Sequence, residues 1–101
     1  MKEGSFNVLL VDDDKDDCLF FKEALDELPI NVNLTTVYDG DQMINLLKKN
    51  ELYPSVIFLD LNMPRKNGME CLMEIKSNAE FEINKMNKIP IVLFSTSNDK
   101  E

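Results

Sequence analysis

Carboxylates close two of the apolar runs in this sequence. Val8-Leu9-Leu10-Val11 runs into Asp12-Asp13-Asp14, and Val56-Ile57-Phe58-Leu59 runs into Asp60. A buried strand that ends in acid places negative charge in a crevice, and two such strands side by side crowd three or four carboxylates into one hollow. Like-charge repulsion forbids that arrangement unless a cation or protons relieve it. Magnesium suits the task, because it prefers oxygen ligands and is commonly held by one or two carboxylates together with phosphate oxygens. Asp12, Asp13, Asp60 and a loop carbonyl supply such a set. A carboxylate beside the metal can act as nucleophile toward phosphorus, giving an aspartyl phosphate. Ser95 or Thr96, closing a further apolar run, can donate a hydroxyl hydrogen bond to the phosphoryl group. A duller account has Asp12 to Asp14 capping a helix and Asp60 starting a turn. It explains each cluster alone, but not their equivalent places on two strands.

Positioning these groups requires a parallel sheet. Phe6 to Val11 is a short continuous apolar run, as expected of a strand buried on both faces. Lys15 to Leu28 reads as a helix with Cys18, Phe21, Leu25 and Leu28 on one stripe, widened by Phe20 and Ala24. Asp14 is its expected N-cap and Pro29 its stop. Val32 to Val37 alternates and is β-branched, giving a second, more exposed strand. A helix is expected from about Gln42 to Lys49, with Met43, Ile44 and Leu47 inward, and a third strand from Val56 to Leu59. Met69, Leu72, Met73 and Ile75 supply the apolar side of the next helix, and Gly68 permits its tight approach. Ser77 to Lys88 is polar and poorly periodic and reads as a helix end and loop, before a fourth strand over Ile89 to Phe94. The β-α-β-α-β-α-β order predicts an α/β, flavodoxin-like doubly wound parallel sheet in the order 2-1-3-4. Ligands gather in such sheets at the carboxyl ends of strands beside the switch in strand order. Strands one and three are neighbours there, about 5 Å apart, close enough to share one cation.

Composition narrows the function classes. The chain has 101 residues, 44% of them hydrophobic, which suits a single domain over 1–101 with one core. Its net charge of -8, with no Lys/Arg cluster beyond pairs, argues against direct binding to nucleic acid or an anionic membrane. The first residues lack the apolar stretch of a signal peptide, and no run approaches the roughly 20 apolar residues of a membrane span, so a cytoplasmic location is expected. There is no histidine, which removes the commonest zinc ligand and most nucleophile-base pairs. Cys18 and Cys71 sit among apolar residues and read as buried free thiols. No glycine-rich phosphate loop is present. A phosphohydrolase using an aspartyl nucleophile generally wants a second acid two residues on, where this chain has Asn62.

The motifs Val11-Asp12-Asp13-Asp14, Asp60-Leu61-Asn62-Met63-Pro64 with Gly68, and Pro90-Ile91-Val92-Leu93-Phe94-Ser95 occur in order over nearly the whole chain. Together they resemble the CheY-like receiver domains of response regulators in two-component signalling. The wording around Asp60 and the Ser-Thr-Ser ending are similar to stand-alone receivers associated with phytochrome-type kinases. The resemblance implies that Asp60 accepts a phosphoryl group from a phosphohistidine of a sensor kinase or phosphotransfer protein. It implies that Asp12 and Asp13 hold Mg2+ directly or through water, and that the backbone carbonyl of Asn62 completes the protein ligands. Ser95 would be the hydroxyl that turns toward the phosphoryl group, with Thr96 at a position where small residues are usual.

One departure stands out. Receivers continue through another helix, a fifth strand ending in Lys-Pro and a last helix, whereas this sequence stops at Glu101. Lys100 is too early to replace the missing lysine. Ile91 to Phe94 would then be an apolar edge strand, an aggregation or swapping hazard. The expectation is a domain truncated before its fifth strand, with a neighbouring chain over the open edge as the alternative. The primary functional expectation is a phosphoacceptor switch, not an enzyme in its own right, that biases a surface for a downstream protein target. The rival is a phosphorylation-independent docking or dimerisation module, with a homodimer allowed by either.

Overall fold

The computed structural model describes residues 6–95. Expectations placed on Thr96 and Lys100 lie outside them. The chain runs through β1 (Phe6–Val11), α1 (Lys15–Asp26), β2 (Val32–Val37), α2 (Gly40–Lys49), β3 (Val56–Asp60), α3 (Gly68–Ser77), a short α4 (Ala79–Ile83), a 3₁₀ turn (Met86–Lys88) and β4 (Ile91–Phe94). The strands form one parallel sheet in the order β2-β1-β3-β4, the predicted arrangement. β1 lies between two strands and Val8 to Val11 are buried, which is why its sequence is continuously apolar. β2, paired only with β1 among the described residues, is half-buried through most of its length.

Burial of Leu9, Val11, Ile57 and Leu59 against Met43, Leu47, Cys71, Ile75, Phe81 and Met86 makes the principal core, on the α2 and α3 side of the sheet. Each large apolar side chain fully removed from water contributes about 1.5–3 kcal/mol, so this layer fixes how β1 and β3 present their ends. On the opposite face α1 contributes one buried side chain, Cys18, and an edge-on contact between Phe21 and Phe58 with centroids 5.0 Å apart. Phe20 and Ala24 do not widen its stripe: both are exposed, as is Leu28. The helix closes at Asp26, because Leu28 N–H turns back to Leu25 O at 3.0 Å and tightens the last turn ahead of Pro29.

Three other boundaries differ from expectation for identifiable reasons. α2 starts at Gly40 rather than Gln42, since the Asp39 carboxylate accepts from Gln42 N–H at 2.8 Å and caps the helix. The span 77–88 is not loop throughout: Asn78 accepts from Glu80 N–H at 2.8 Å and starts α4, which buries Phe81 before the 3₁₀ turn buries Met86. β4 begins at Ile91 instead of Ile89. Pro90 has no N–H to give the ladder, although its carbonyl accepts from Ile57 N–H at 3.0 Å. Among the described residues β4 pairs with β3 alone, with Val92 and Leu93 exposed.

In α3 the buried side is Gly68, Cys71 and Ile75, with Leu72 half-buried, while Met69 and Met73 face outward. Both cysteines are buried free thiols, as expected. Burial chiefly, with help from neighbouring carboxylates, pushes each thiol up to about 11. Lys66 pulls the other way on Cys71 without prevailing. Neither should therefore react with iodoacetamide at pH 8 in the native state, whereas both should alkylate promptly in denaturant. Native modification at the rate of a free thiol would contradict this packing.

Candidate metal and phosphoryl site

Strand register creates the site. Val11 pairs with Leu59 across β1 and β3, so the next residues, Asp12 and Asp60, leave adjacent strand ends together. Asp12 and Asp60 are 2% and 1% exposed, an unusual burial for carboxylates, while Asp13 is exposed. Ligand oxygens of Asp12, Asp13 and Asp60 all lie within 4.8 Å of one another.

Each buried carboxylate is oriented by its own chain. Asp12 Oδ1 accepts from Asp14 N–H at 3.0 Å, and Asp60 Oδ1 accepts from Asn62 N–H at 2.9 Å. Cys18 Sγ donates to the Asp12 carbonyl at 3.4 Å, tying α1 to the same strand end. Asp14 does cap α1, accepting from Asp16 and Asp17 N–H. The capping account is therefore true of Asp14 but does not explain Asp12 or Asp60.

The electrostatics are strained in a way that a cation would relieve. Among the described residues no Lys or Arg pairs with Asp12 or Asp60. Lys15, the nearest cation in sequence, sits over the Tyr38 ring at 5.1 Å. Two charges at this separation repel by about 3 kcal/mol at an effective dielectric near 20. Burial first, then the charge of Asp60 and a hydrogen bond with it, push the Asp12 carboxyl up to about 7, against the lowering effect of the Asp14 amide. Without a metal the Asp12 carboxyl thus keeps its proton up to near neutrality. An all-oxygen donor set with surplus negative charge fits a hard divalent cation.

The loop after Asp60 is held from two sides. Arg65, in the left-handed region at φ 66°, lies 3.6 Å from Asp39. Lys66 lies 3.6 Å from Asp41 and hydrogen-bonds Glu74, which keeps its ammonium above the usual lysine range. Asn67 and Glu70 form a reciprocal capping box at the start of α3. Arg65 is largely exposed and its pair contributes little. The half-buried Lys66 is the firmer tie between loop, α2 and α3.

Ser95 follows Phe94, which pairs with Asp60 across β3 and β4. Its Oγ accepts from Asn62 Nδ2 at 2.7 Å. Sequence reasoning gave Asn62 only a backbone role and missed this contact. The basic pair Arg65-Lys66 was visible as a pair, but its acidic partners, Asp39 at the cap of α2, Asp41 on α2 and Glu74 on α3, were not.

Residues 8–101 match the family described as the response regulator receiver domain. The chain is 34% identical over 99 residues to response regulator Rcp1 of Synechocystis sp., covering 93% of this chain and 64% of that protein. It thus spans a little under two thirds of that relative's length. The crystal structure of the Mn(2+)-bound form of Rcp1 superposes with a TM-score of 0.77 at 34% identity, over 94% of this chain and 68% of that one. The phosphorylated cyanobacterial phytochrome response regulator RcpA gives 0.79 at 35% identity, over 95% and 69%.

Proposed function

This chain belongs to the response regulator receiver domain family, and from that membership we propose that Asp60 is its phosphoacceptor, served by Mg2+ at Asp12, Asp13, Asp60 and the Asn62 backbone carbonyl. The observation that carries the proposal is the convergence of three carboxylates within 4.8 Å, two of them buried, at adjacent ends of β1 and β3. Relatives crystallised with Mn2+ and in a phosphorylated form support it.

The phosphoryl donor is a phosphohistidine on a histidine kinase or a phosphotransfer protein. The phytochrome response regulators among the relatives favour a phytochrome-type kinase. An Asp60 carboxylate oxygen forms the new O–P bond as the N–P bond breaks, and the electron pair leaves with the imidazole nitrogen. Asn62 N–H holds the carboxylate in place for in-line attack. A divalent cation held by Asp12, Asp13 and Asp60 would supply charge neutralisation for the transferring phosphoryl group. The added charge, roughly -1.5 to -2 at neutral pH, then draws the Ser95 hydroxyl toward it and biases a surface that binds a downstream protein. The domain assists its own phosphorylation and is a signalling module rather than an enzyme. No helix among the described residues is long and apolar enough to cross a membrane.

Incubating the chain with acetyl phosphate and Mg2+ and measuring its intact mass tests this. One phosphoryl group should be added to the wild type and none to Asp60→Asn. An adduct that persists in Asp60→Asn would move the phosphoacceptor elsewhere. The complete lack of an adduct on the wild type would favour a phosphorylation-independent docking module.

A further inference from the structure

Asn62 touches both groups on which the phosphoacceptor reading depends. Its backbone N–H donates to Asp60 Oδ1 at 2.9 Å, and its Nδ2 donates to Ser95 Oγ at 2.7 Å. A single loop residue thus bridges the end of β3 to the end of β4. Asn62 is also the position where a phosphohydrolase would carry its proton donor, and it has none to give to a leaving group.

The direction of the second bond decides what it can do. A serine hydroxyl has one donor and two acceptor sites. The Asn62 amide uses an acceptor site, so Ser95 keeps its own proton for another partner. Accepting a bond also polarises O–H toward stronger donation. A contact that locked the hydroxyl away from the phosphoryl group would consume that proton, and this one does not. Both residues are exposed, where an untethered serine samples several rotamers and must be ordered as charge develops.

Resting on the assignment of Asp60 as phosphoacceptor, we propose that Asn62 is a positioning residue whose carboxamide holds Ser95 Oγ beside the Asp60 loop before phosphoryl transfer. The Asn62 carboxamide then acts on phosphorylation through Ser95, beside the roles of the Asn62 backbone at Asp60 and the cation, and a single solvent-exposed hydrogen bond bounds the effect at about three- to tenfold.

The test is the rate at which the full chain gains a phosphoryl group from excess acetyl phosphate at saturating Mg2+, followed by intact mass, for wild type, Asn62→Ala, Ser95→Ala and the double variant. Asn62→Ala should slow the reaction about three- to tenfold, Ser95→Ala at least as much, and the double variant no more than Ser95→Ala alone. A general loosening of the loop would not produce that dependence on Ser95. Equal or faster phosphorylation of Asn62→Ala, or losses that multiply in the double variant, overturns the proposal and leaves Asp60 as phosphoacceptor. A wild type that gains no phosphoryl group removes the Asp60 assignment and this proposal with it.

Discussion

In chelator at pH 8, Asp12→Asn should make the domain more stable than the wild type, by an amount bounded at about 4 kcal/mol, whereas near pH 4 the two should be nearly alike. Asp12 is held at about 7 in the folded chain against an ordinary value of 3.8, with burial the leading cause. Below the ordinary value the carboxyl is protonated in both folded and unfolded states and nothing is lost. Between about 4 and 7 the unfolded chain ionises while the folded chain keeps its proton, so stability falls by about 1.4 kcal/mol per pH unit from this group. Above about 7 the penalty is complete and constant. Asparagine removes the penalty and keeps the geometry. Its side-chain oxygen can still accept from Asp14 N–H, and its amide can donate to Asp60, as the protonated acid does.

The rise in Tm should be on the order of 10 °C for a chain of this size. Saturating Mg2+ should reverse the order, because the wild type alone keeps the full carboxylate set and gains stability by binding. For the same reason, wild-type affinity for Mg2+ should climb as pH rises toward about 7, where the Asp12 proton must otherwise be expelled. Thermal melts of both proteins at several pH values, with EDTA and with Mg2+, make the comparison. A variant no more stable than the wild type at pH 8 in EDTA would mean that burial beside Asp60 does not hold the Asp12 carboxyl above its ordinary value.

The strands that build this hollow were legible because parallel strands buried on both faces cannot alternate, and Val8 to Val11 and Val56 to Leu59 do not. Acid at the end of such a run has few structural uses, so the chemistry was legible with it. What escaped reading was set by contacts distant in sequence. In α3, Met69 and Met73 repeat at four residues just as Cys71 and Ile75 do, and periodicity alone cannot choose between the two sets. The sheet buries the second set, because Gly68 must face the Asp60–Leu61 backbone and Cys71 and Ile75 lie nearest its side of the helix. α4 is only five residues long, too short for a period to show, and is recognisable chiefly by Asn78 as a cap. The Asn62–Ser95 bond joins residues 33 apart and leaves no local signature. Family resemblance supplied a role for Ser95, but not the amide that holds it.

Gly68→Ala should cost on the order of 2–4 kcal/mol, a large share of the stability of a small domain, and should weaken Mg2+ binding as well. The backbone of Gly68 is helical, so alanine on its own would suit the helix better than glycine does. The obstacle is space. A Cβ there would lie 2.5 Å from the Asp60 carbonyl oxygen, 2.8 Å from Leu61 Cα and 3.0 Å from the Asp60 carbonyl carbon. All three atoms are main chain, two of them in Asp60, the proposed phosphoacceptor, and one in the residue that follows it. Relief therefore requires moving α3 away from β3 or displacing the end of β3 itself, and the second route disturbs the spacing of Asp60 from Asp12 and Asp13.

Gly40→Ala is the matched control, since a Cβ there overlaps Cys71 Sγ and approaches only side-chain atoms of Lys66. Side chains can rotate where backbone cannot, so its cost should be the smaller of the two, and Cys71→Ala should recover part of it. Chemical denaturation of the three variants, with Mg2+ titration of each by a binding assay, separates the effects. A Gly68→Ala protein that matches wild type in both stability and Mg2+ affinity would show that α3 is free to retreat, and that the approach of its first turn does not hold Asp60 in register.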